Sequence, residues 1–232
     1  MSREYWKDFW LLHGKKSKLE DEQFQVLRTS NKNIIEQDDW LFTLNEIEKL
    51  VSNRLGTMLE LCAGNGLISR HLSNQFDSIE CVDISEDLLE TIDVNQYPNI
   101  RKNVADVFEI EFEHNSFDVI ILYAGLQYFS HSEVTTLVEN IYRWLKPNGK
   151  VFFGDIPDVA KLWDFYNTEE RERVYFDNLK NEIDVIGTWF DKGFLKKLSN
   201  YAGFDSFEVI NQDERLIYSH FRFDVVLNKG VE

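Results

Sequence analysis

Two cysteines in 232 residues, Cys62 and Cys81, are too few for a disulfide framework and carry no metal-ligand spacing. Both fall in apolar segments that read as buried core, which suits a reducing compartment. Long apolar runs are also missing: the longest, such as 119–122 and 151–153, are strand-sized and far below the roughly 20 residues that span a bilayer. The first residues, Met1 to Asp8, are charged and aromatic and lack the apolar stretch of a secretory signal. A cytoplasmic protein is expected. Positive charge is scarce as well. Lys and Arg number 25 against 41 Asp and Glu, a formal net charge of −16. Nucleic-acid binders neutralise phosphates with clustered Lys and Arg, and the only such run, Lys15-Lys16-Ser17-Lys18, reads as a solvated turn. An acidic chain is also repelled by anionic membrane surfaces. DNA, RNA and bilayers are therefore disfavoured as partners.

What is present is an ordinary globular composition, 43% hydrophobic and 28% charged, in a length that suits one domain. Residues 1–55 read as a helical cover. In it Tyr5, Trp6, Phe9 and Trp10 fall on one face of an amphipathic helix, and Leu44, Ile47, Leu50 and Val51 on one face of a second. The first face either packs on the domain or closes over a flat or cationic ligand.

From Thr57 onward short apolar runs alternate with amphipathic segments. Strands are expected at 57–62, 78–82, 100–105, 117–123 and 150–154, and helices at 67–74, 86–94 and 133–145. Ser130-x-x-Glu133 fits a capping box for the last of these helices. Such alternation predicts an α/β fold, a doubly wound and mostly parallel sheet with helices on both faces. Residues 159–187 read as a helical insertion above the sheet. A final helix at 189–201 and two strands at 204–211 and 216–227 follow. The short polar link Gln212-Asp-Glu-Arg makes those strands a hairpin, so the last one should run antiparallel.

The strongest signal is Met58-Leu-Glu-Leu-Cys-Ala-Gly-Asn-Gly-Leu-Ile-Ser. An apolar strand carries an acid, Glu60, and runs through Gly64-x-Gly66 directly into a helix. Glycines there allow a tight turn and a close approach to a ligand. Asp83 ends the next strand, 83 − 60 = 23 residues on, one strand–helix–strand step, where a carboxylate reaches a ribose diol. Asp106 lies just past the third strand. Three acids at successive strand ends line one crevice. A dinucleotide fingerprint would place Gly at position 69, which is Ser, and Glu60 would repel a pyrophosphate. A cationic sulfonium nucleoside suits an acid-lined pocket better.

On these residues the stretch 57–155 resembles the class I S-adenosylmethionine-dependent methyltransferases. Leu59-Glu-Leu-Cys-Ala-Gly-Asn-Gly is similar to the glycine-rich first motif, Val82-Asp-Ile to the acidic second strand end, and Ala105-Asp-Val to the adenine-contacting segment. Phe117-Asp-Val-Ile-Ile-Leu-Tyr-Ala-Gly-Leu-Gln-Tyr-Phe and Leu145-Lys-Pro-Asn-Gly-Lys-Val-Phe-Phe resemble the fourth strand and the turn into the fifth. The resemblance implies a seven-stranded sheet of order 3-2-1-4-5-7-6 with the seventh strand antiparallel, and S-adenosyl-L-methionine as cofactor. One departure is Cys62, which stands where the family often has Gly. At a positive φ it would be costly. Carried over, the resemblance assigns the loop Glu60, Cys62, Ala63, Gly64 and Gly66 to the methionine side of the cofactor and Asp83 to the ribose hydroxyls. It assigns Ile84, Asp106 and Val107 to the adenine, and Tyr123 and Leu126 to the transferred methyl.

Methyl transfer asks the protein mainly for orientation and, with a hydroxyl acceptor, for a base. Three candidate catalytic residues fall near the cofactor edge: Asp155 after strand five, His220 near the start of the last strand, and His131 at the helix after strand four. Each has a plain structural alternative as a turn residue, a cross-strand pair or a helix cap. Tyr128 is a further acceptor-side candidate. His13, His71 and His114 fall away from that edge and read as surface residues. The aromatics Trp163, Phe165, Tyr166, Tyr175 and Phe176 make 159–187 a candidate acceptor lid. No acidic cluster beyond the cofactor acids indicates a metal.

The expected activity is methylation of an O or N atom of a small polar metabolite, such as a sugar or secondary metabolite, by a monomer or homodimer. A non-catalytic cofactor-binding protein is the alternative. A nicotinamide-dependent oxidoreductase is a third reading, disfavoured by Ser69 and Glu60.

Overall fold

The computed structural model describes residues 3–30, 33–52, 56–181, 183 and 186–231. Along the chain α1 (Arg3–Ser17), α2 (Glu22–Gln25), β1 (Thr29–Ser30), β2 (Asn33–Ile34) and α3 (Gln37–Val51) precede the sheet. Then come β3 (Thr57–Leu61), α4 (Leu67–Leu72), β4 (Ser78–Asp83), α5 (Glu86–Leu89), β5 (Ile100–Val104), β6 (Phe117–Tyr123), α6 (His131–Trp144) and β7 (Leu145–Pro157). The chain closes with α7 (Leu162–Phe165), α8 (Glu169–Lys180), α9 (Lys192–Ala202), β8 (Ser206–Ile210) and β9 (Arg222–Asn228).

Seven strands form one sheet in the order β5-β4-β3-β6-β7-β9-β8, which is the expected 3-2-1-4-5-7-6. β3 to β7 pair in parallel, and β9 runs antiparallel to both β7 and β8. β6 shows why the sheet needs cover on both sides. Val119 and Ile121 enter the core beneath α3 and α4, while Ile120 and Leu122 enter the core beneath α6 and α9. Alternate side chains of a strand point to opposite faces, and burying each such residue contributes about 1.5–3 kcal/mol. The capping box at Ser130 and Glu133 is formed, and it starts α6.

Several boundaries differ from the sequence reading. The helix expected at 86–94 ends at Leu89. The final hairpin is antiparallel, but its link covers 211–221 rather than four residues. Tyr218 is the physical reason: its hydroxyl donates to the Thr29 carbonyl at 2.9 Å, drawing the segment onto the N-terminal cover. Phe221 meanwhile packs against Phe165 and Trp189. The small β1–β2 sheet was not anticipated.

Helices α1 and α2 and the turns that join and follow them, residues 3–30, lie over the C-terminal edge of β3, β4 and β6, where open α/β sheets bind ligands. Gln25 Oε1 accepts from the Asn65 amide at 2.8 Å, and Arg70 pairs with Glu22 at 2.7 Å. His13 bonds the carbonyls of Phe24 and Gln25 at 3.1 Å, and His71 meets Glu48 at 2.9 Å, so both are half-buried tethers rather than free surface residues. His114 is exposed.

Candidate active site

At the end of β3 the chain turns through Cys62 (φ 56°), Gly64 (φ 56°) and Gly66 (φ 69°) into α4. A Cβ on Gly64 would come within 2.8 Å of Val26, so the loop and the cover meet where only glycine fits. Asp83, at the end of β4, braces this loop. One of its carboxylate oxygens accepts from Gly64 N and the other from Ser85 N, both at 2.8 Å. Asp83 is buried, and burial raises its pKa despite the bonds from Ser85, Gly64 and Ile84. Glu60 points to the α4 face of β3, where Ser69 donates to it through both backbone and hydroxyl. Burial dominates there and pushes the carboxyl up to about 7. Asp106, after β5, accepts from Phe108 N at 3.0 Å and faces Lys7 at 3.4 Å and Arg3 at 3.7 Å from α1.

These residues border one cavity with an empty volume of about 990 Å³, part of it open to solvent. Its floor holds Glu60, Cys62, Ala63, Gly64, Asp83, Ile84, Asp106, Val107 and Tyr123, all assigned to the cofactor by the sequence resemblance. Its roof is the cover: Trp6 and Trp10 of α1 meet the Tyr128 ring at 4.8 and 5.5 Å. Burial raises the Cys62 thiol well above its ordinary value, with Asp83, Asp106 and Glu60 adding to it, and burial also raises the Tyr123 and Tyr128 phenols.

Two expected cofactor residues do not line the cavity. Leu126 is fully buried in the core beneath α6. It shares a single 3-10 turn with Tyr128, and residues two apart in that turn point to different sides, so Tyr128 takes the cavity position. Gly66 starts α4, and a Cβ there would meet Ile92 instead of the cavity.

The three catalytic candidates are not brought together. His131 is exposed, with its ring against Phe190 and Phe194. His220 lies in the turn before β9 beside Phe221, and burial, Arg171 and Lys161 lower its pKa. Neither lines the cavity. Asp155 is buried at a β-bulge with φ 60°, where the pairing of β7 with β9 shifts register between Phe153 and Ile156. Bulges re-aim side chains next to active sites, and this one turns Asp155 onto Arg28 and Arg222. Burial opposes its charge, but the two guanidinium groups outweigh that and hold the carboxyl below its ordinary range. A carboxylate so held is a poor proton acceptor.

The expected lid is absent from the cavity wall: no described residue of 159–187 lines it, and Glu182, Asp184 and Val185 of that segment lie outside the described residues. Trp163, Tyr166, Tyr175 and Phe176 pack on one another, and Phe165 and Tyr166 on Trp189. The sequence reading missed Arg28, Trp40, Asn65, Arg3 and Lys7, all of which line the cavity. Of these only Asn65 sits in a motif, as the variable residue between Gly64 and Gly66; the others have no spacing that could have marked them. Among the described residues no group of three or more His, Cys, Asp or Glu could hold a metal, and no helix is long and apolar enough to cross a membrane.

Comparison with known proteins agrees with this geometry. The methyltransferase domain family model matches residues 58–149, from β3 to the start of β7. Phosphoethanolamine N-methyltransferase 1 of Triticum aestivum is 34% identical over 101 residues, 41% of this chain and 20% of that protein. The ubiquinone/menaquinone biosynthesis C-methyltransferase UbiE of Rickettsia bellii is 27% identical over 135 residues, 53% of this chain and 54% of that protein. The chain thus matches about a fifth of the first relative's length and about half of the second's. Haemonchus contortus phosphoethanolamine N-methyltransferase 1, solved with phosphoethanolamine and S-adenosylhomocysteine, superposes with a TM-score of 0.67 at 16% identity. That superposition covers 100% of this chain and 50% of that one, and at such identity it is a likeness of fold. Residues 58–149 thus carry the methyltransferase domain match, on the strand order that the resemblance to the class I S-adenosylmethionine-dependent methyltransferases implied.

Proposed function

We propose that this protein transfers a methyl group from S-adenosylmethionine to a small polar metabolite, with nitrogen favoured over oxygen as the acceptor atom. The observation that carries the reading is the single cavity bordered by Glu60, Asp83 and Asp106 and roofed by Trp6 and Trp10. Its donor set is acidic and aromatic, which fits a cationic nucleoside without phosphates. Asp83, positioned by two loop amides, has acceptor capacity left for a ribose diol. Asp106 and Val107 flank the place for a flat base, with Ile84 beside them. Glu60, neutral or charged near pH 7, becomes fully ionised beside a cation.

When bound, the donor supplies a methyl group already activated by the positive sulfur. The chain then has to orient the acceptor and keep water out, which the cover does by closing α1 onto Tyr128. Among the described residues no histidine lines the cavity. Tyr123 and Tyr128 have raised pKa values and are hydrogen-bond donors rather than bases. An amine that binds as its free base, its proton already lost to solvent, brings its own lone pair and needs no base in the site. A hydroxyl must give up its proton during attack, which is why nitrogen is favoured. The cover restricts entry to small molecules, and the net charge of −16 argues against nucleic acid.

Calorimetry with S-adenosylhomocysteine, and mass spectrometry of ligand released from the purified protein, test the donor. Saturable binding of a nicotinamide dinucleotide with none of S-adenosylhomocysteine would overturn the proposal. Transfer of labelled methyl to amines in an acceptor screen separates an enzyme from a non-catalytic binder.

A further inference from the structure

Beyond Tyr123, on the side of the cavity away from the three acids, two arginines share one carboxylate. Arg28, on the turn after α2, is 7% exposed and its Nη1 donates to Asp155. Arg222, at the start of β9, reaches the same Asp155 oxygen at 3.1 Å and donates to the Asp155 backbone carbonyl at 2.7 Å. Asp224 is the other carboxyl present. It accepts from Asp155 N at 2.6 Å and from Gln212 at 2.8 Å, and burial pushes it up to about 7, so near neutrality it carries only part of a charge. Two full positive charges therefore face one full negative charge and a fraction of another.

Buried charge in excess is costly, by several kcal/mol for an unmatched ion. The other cations of the cavity are matched by two carboxylates: Arg3 faces Asp106 and Glu133, and Lys7 faces Asp106. Arg28 lines the cavity, and among the described residues its acceptor is Asp155. Its plane is fixed between the Tyr123 and Tyr218 rings, with centroids at 5.4 and 5.5 Å. Tyr123 and Tyr128 border the same end of the cavity with protonated phenols. A guanidinium fork held rigid beside phenol donors is the chemistry that recognises an oxyanion.

Resting on the methyltransferase reading, we infer that this end of the cavity is an oxyanion subsite: Arg28, braced by Asp155 and flanked by Tyr123 and Tyr128, receives an anionic group of the methyl acceptor, a carboxylate or a phosphate-like group. The placement follows the sheet. The nucleoside acids stand on β3 to β5, and Arg28 is tied to β7 and β9, on the far side of β6. The acceptor is then a small molecule with an anion at one end, beside Arg28, and its methylated atom at the other, toward the acidic edge.

The test titrates the protein with sodium phosphate and, separately, with sodium acetate, with and without saturating S-adenosylhomocysteine. Thermal shift and calorimetry are the readouts. One of the two anions binds saturably to the wild type, and which one names the group. In Arg28→Met, whose Asp155 keeps Arg222, that affinity falls at least tenfold while S-adenosylhomocysteine affinity changes less than twofold. Arg28→Lys keeps the charge and the Asp155 pair but not the fork. It folds even where the methionine variant does not, and it weakens the anion several-fold. If neither anion binds saturably in the millimolar range, the inference fails. It fails as well if Arg28→Met weakens S-adenosylhomocysteine but not methylthioadenosine, because the guanidinium then holds the donor's own carboxylate. Absence of S-adenosylhomocysteine binding to the wild type would sink the donor reading instead, and the titration without it still reads the subsite.

Discussion

At the β3–β5 edge of the cavity, carboxylates sit in backbone cradles. At the β6–β9 edge, arginines share a carboxylate among tyrosines. The first edge is local in sequence: Glu60 is held by Ser69 nine residues on, and Asp83 by Gly64, 19 residues away. The second is assembled from Arg28, Asp155 and Arg222, separated by 127 and 67 residues. Local strand–turn–helix units bind what every member of a fold family shares. Long-range assemblies can change without disturbing the sheet, which is why the proposed acceptor subsite falls on this edge. Both edges keep non-glycine residues at positive φ where strands end, Cys62 after β3, Ala124 after β6 and Asp155 near the end of β7. Strain of this kind gathers where backbone must approach a ligand.

The sharpest way to break the comparison is Asp83→Ala. The side chain holds two loop amides and borders the cavity where the proposed donor would place its ribose, so removing it leaves buried N–H groups unpaired. S-adenosylhomocysteine affinity should fall by about a hundredfold, roughly 3 kcal/mol, with a loss of thermal stability as well. Asp83→Asn, which keeps one acceptor oxygen, should lose less of both. Oxyanion binding at Arg28 should be unchanged in either variant. Calorimetry showing unaltered donor affinity in a folded Asp83→Ala would remove the acidic edge from the site.

A smaller effect separates the edges by pH. Glu60 and Asp224 each rise to about 7, from ordinary values of 4.5 and 3.8. Between those limits the folded chain holds protons that the unfolded chain has released. Stability from this source is therefore full below about pH 4 and is lost as pH rises through 7. Glu60→Gln should flatten its share of the slope and stabilise the ligand-free protein above pH 7 by roughly 1–3 kcal/mol. It should also abolish the gain in donor affinity expected of the wild type between about pH 6 and 8, where a bound cation would expel the Glu60 proton. Asp224→Asn should flatten the stability slope and leave that donor pH dependence intact. Chemical denaturation and calorimetry across pH check both.

Much of the fold was legible because it follows from periodicity. Runs apolar on both faces, such as 117–123, marked the parallel core, and the 23-residue step from Glu60 to Asp83 marked two acids that line one cavity. What was not legible depends on contacts between distant residues. Nothing in Gln25-Val-Leu-Arg28 marks a buried cation, and the burial of Leu126 follows from the phase of a 3-10 turn. The aromatics of 159–187 had two uses open to them by composition, cover or packing. Packing on Trp189 and Phe221 took them. Hydrogen exchange should accordingly gain protection in α1 on S-adenosylhomocysteine binding, by several-fold, and show none in α8. Equal gains in both would restore 159–187 as part of the cover.

The smallest effect tests the strain at Cys62, where the family resemblance expects glycine and the backbone has φ 56°. A β-carbon there costs about 1–2 kcal/mol relative to a right-handed conformation, while glycine adds about 0.5–1 kcal/mol of unfolded-state entropy. Cys62→Gly should thus be more stable than Cys62→Ala by roughly 0.5–1 kcal/mol, although glycine has the lower propensity almost everywhere else. Comparing the two small variants with each other removes most of the sulfur's contribution, since both lose its contacts with Gly125 and the core. Donor affinity in both should stay within about twofold of the wild type, because the thiol, raised well above its ordinary pKa, is neutral and contributes no charge to the site. If alanine equals or exceeds glycine in thermal and chemical denaturation, the left-handed turn at the end of β3 is not strained. The positive φ would then be relieved by the surrounding loop, with Asp83 and Gly64 carrying the geometry alone.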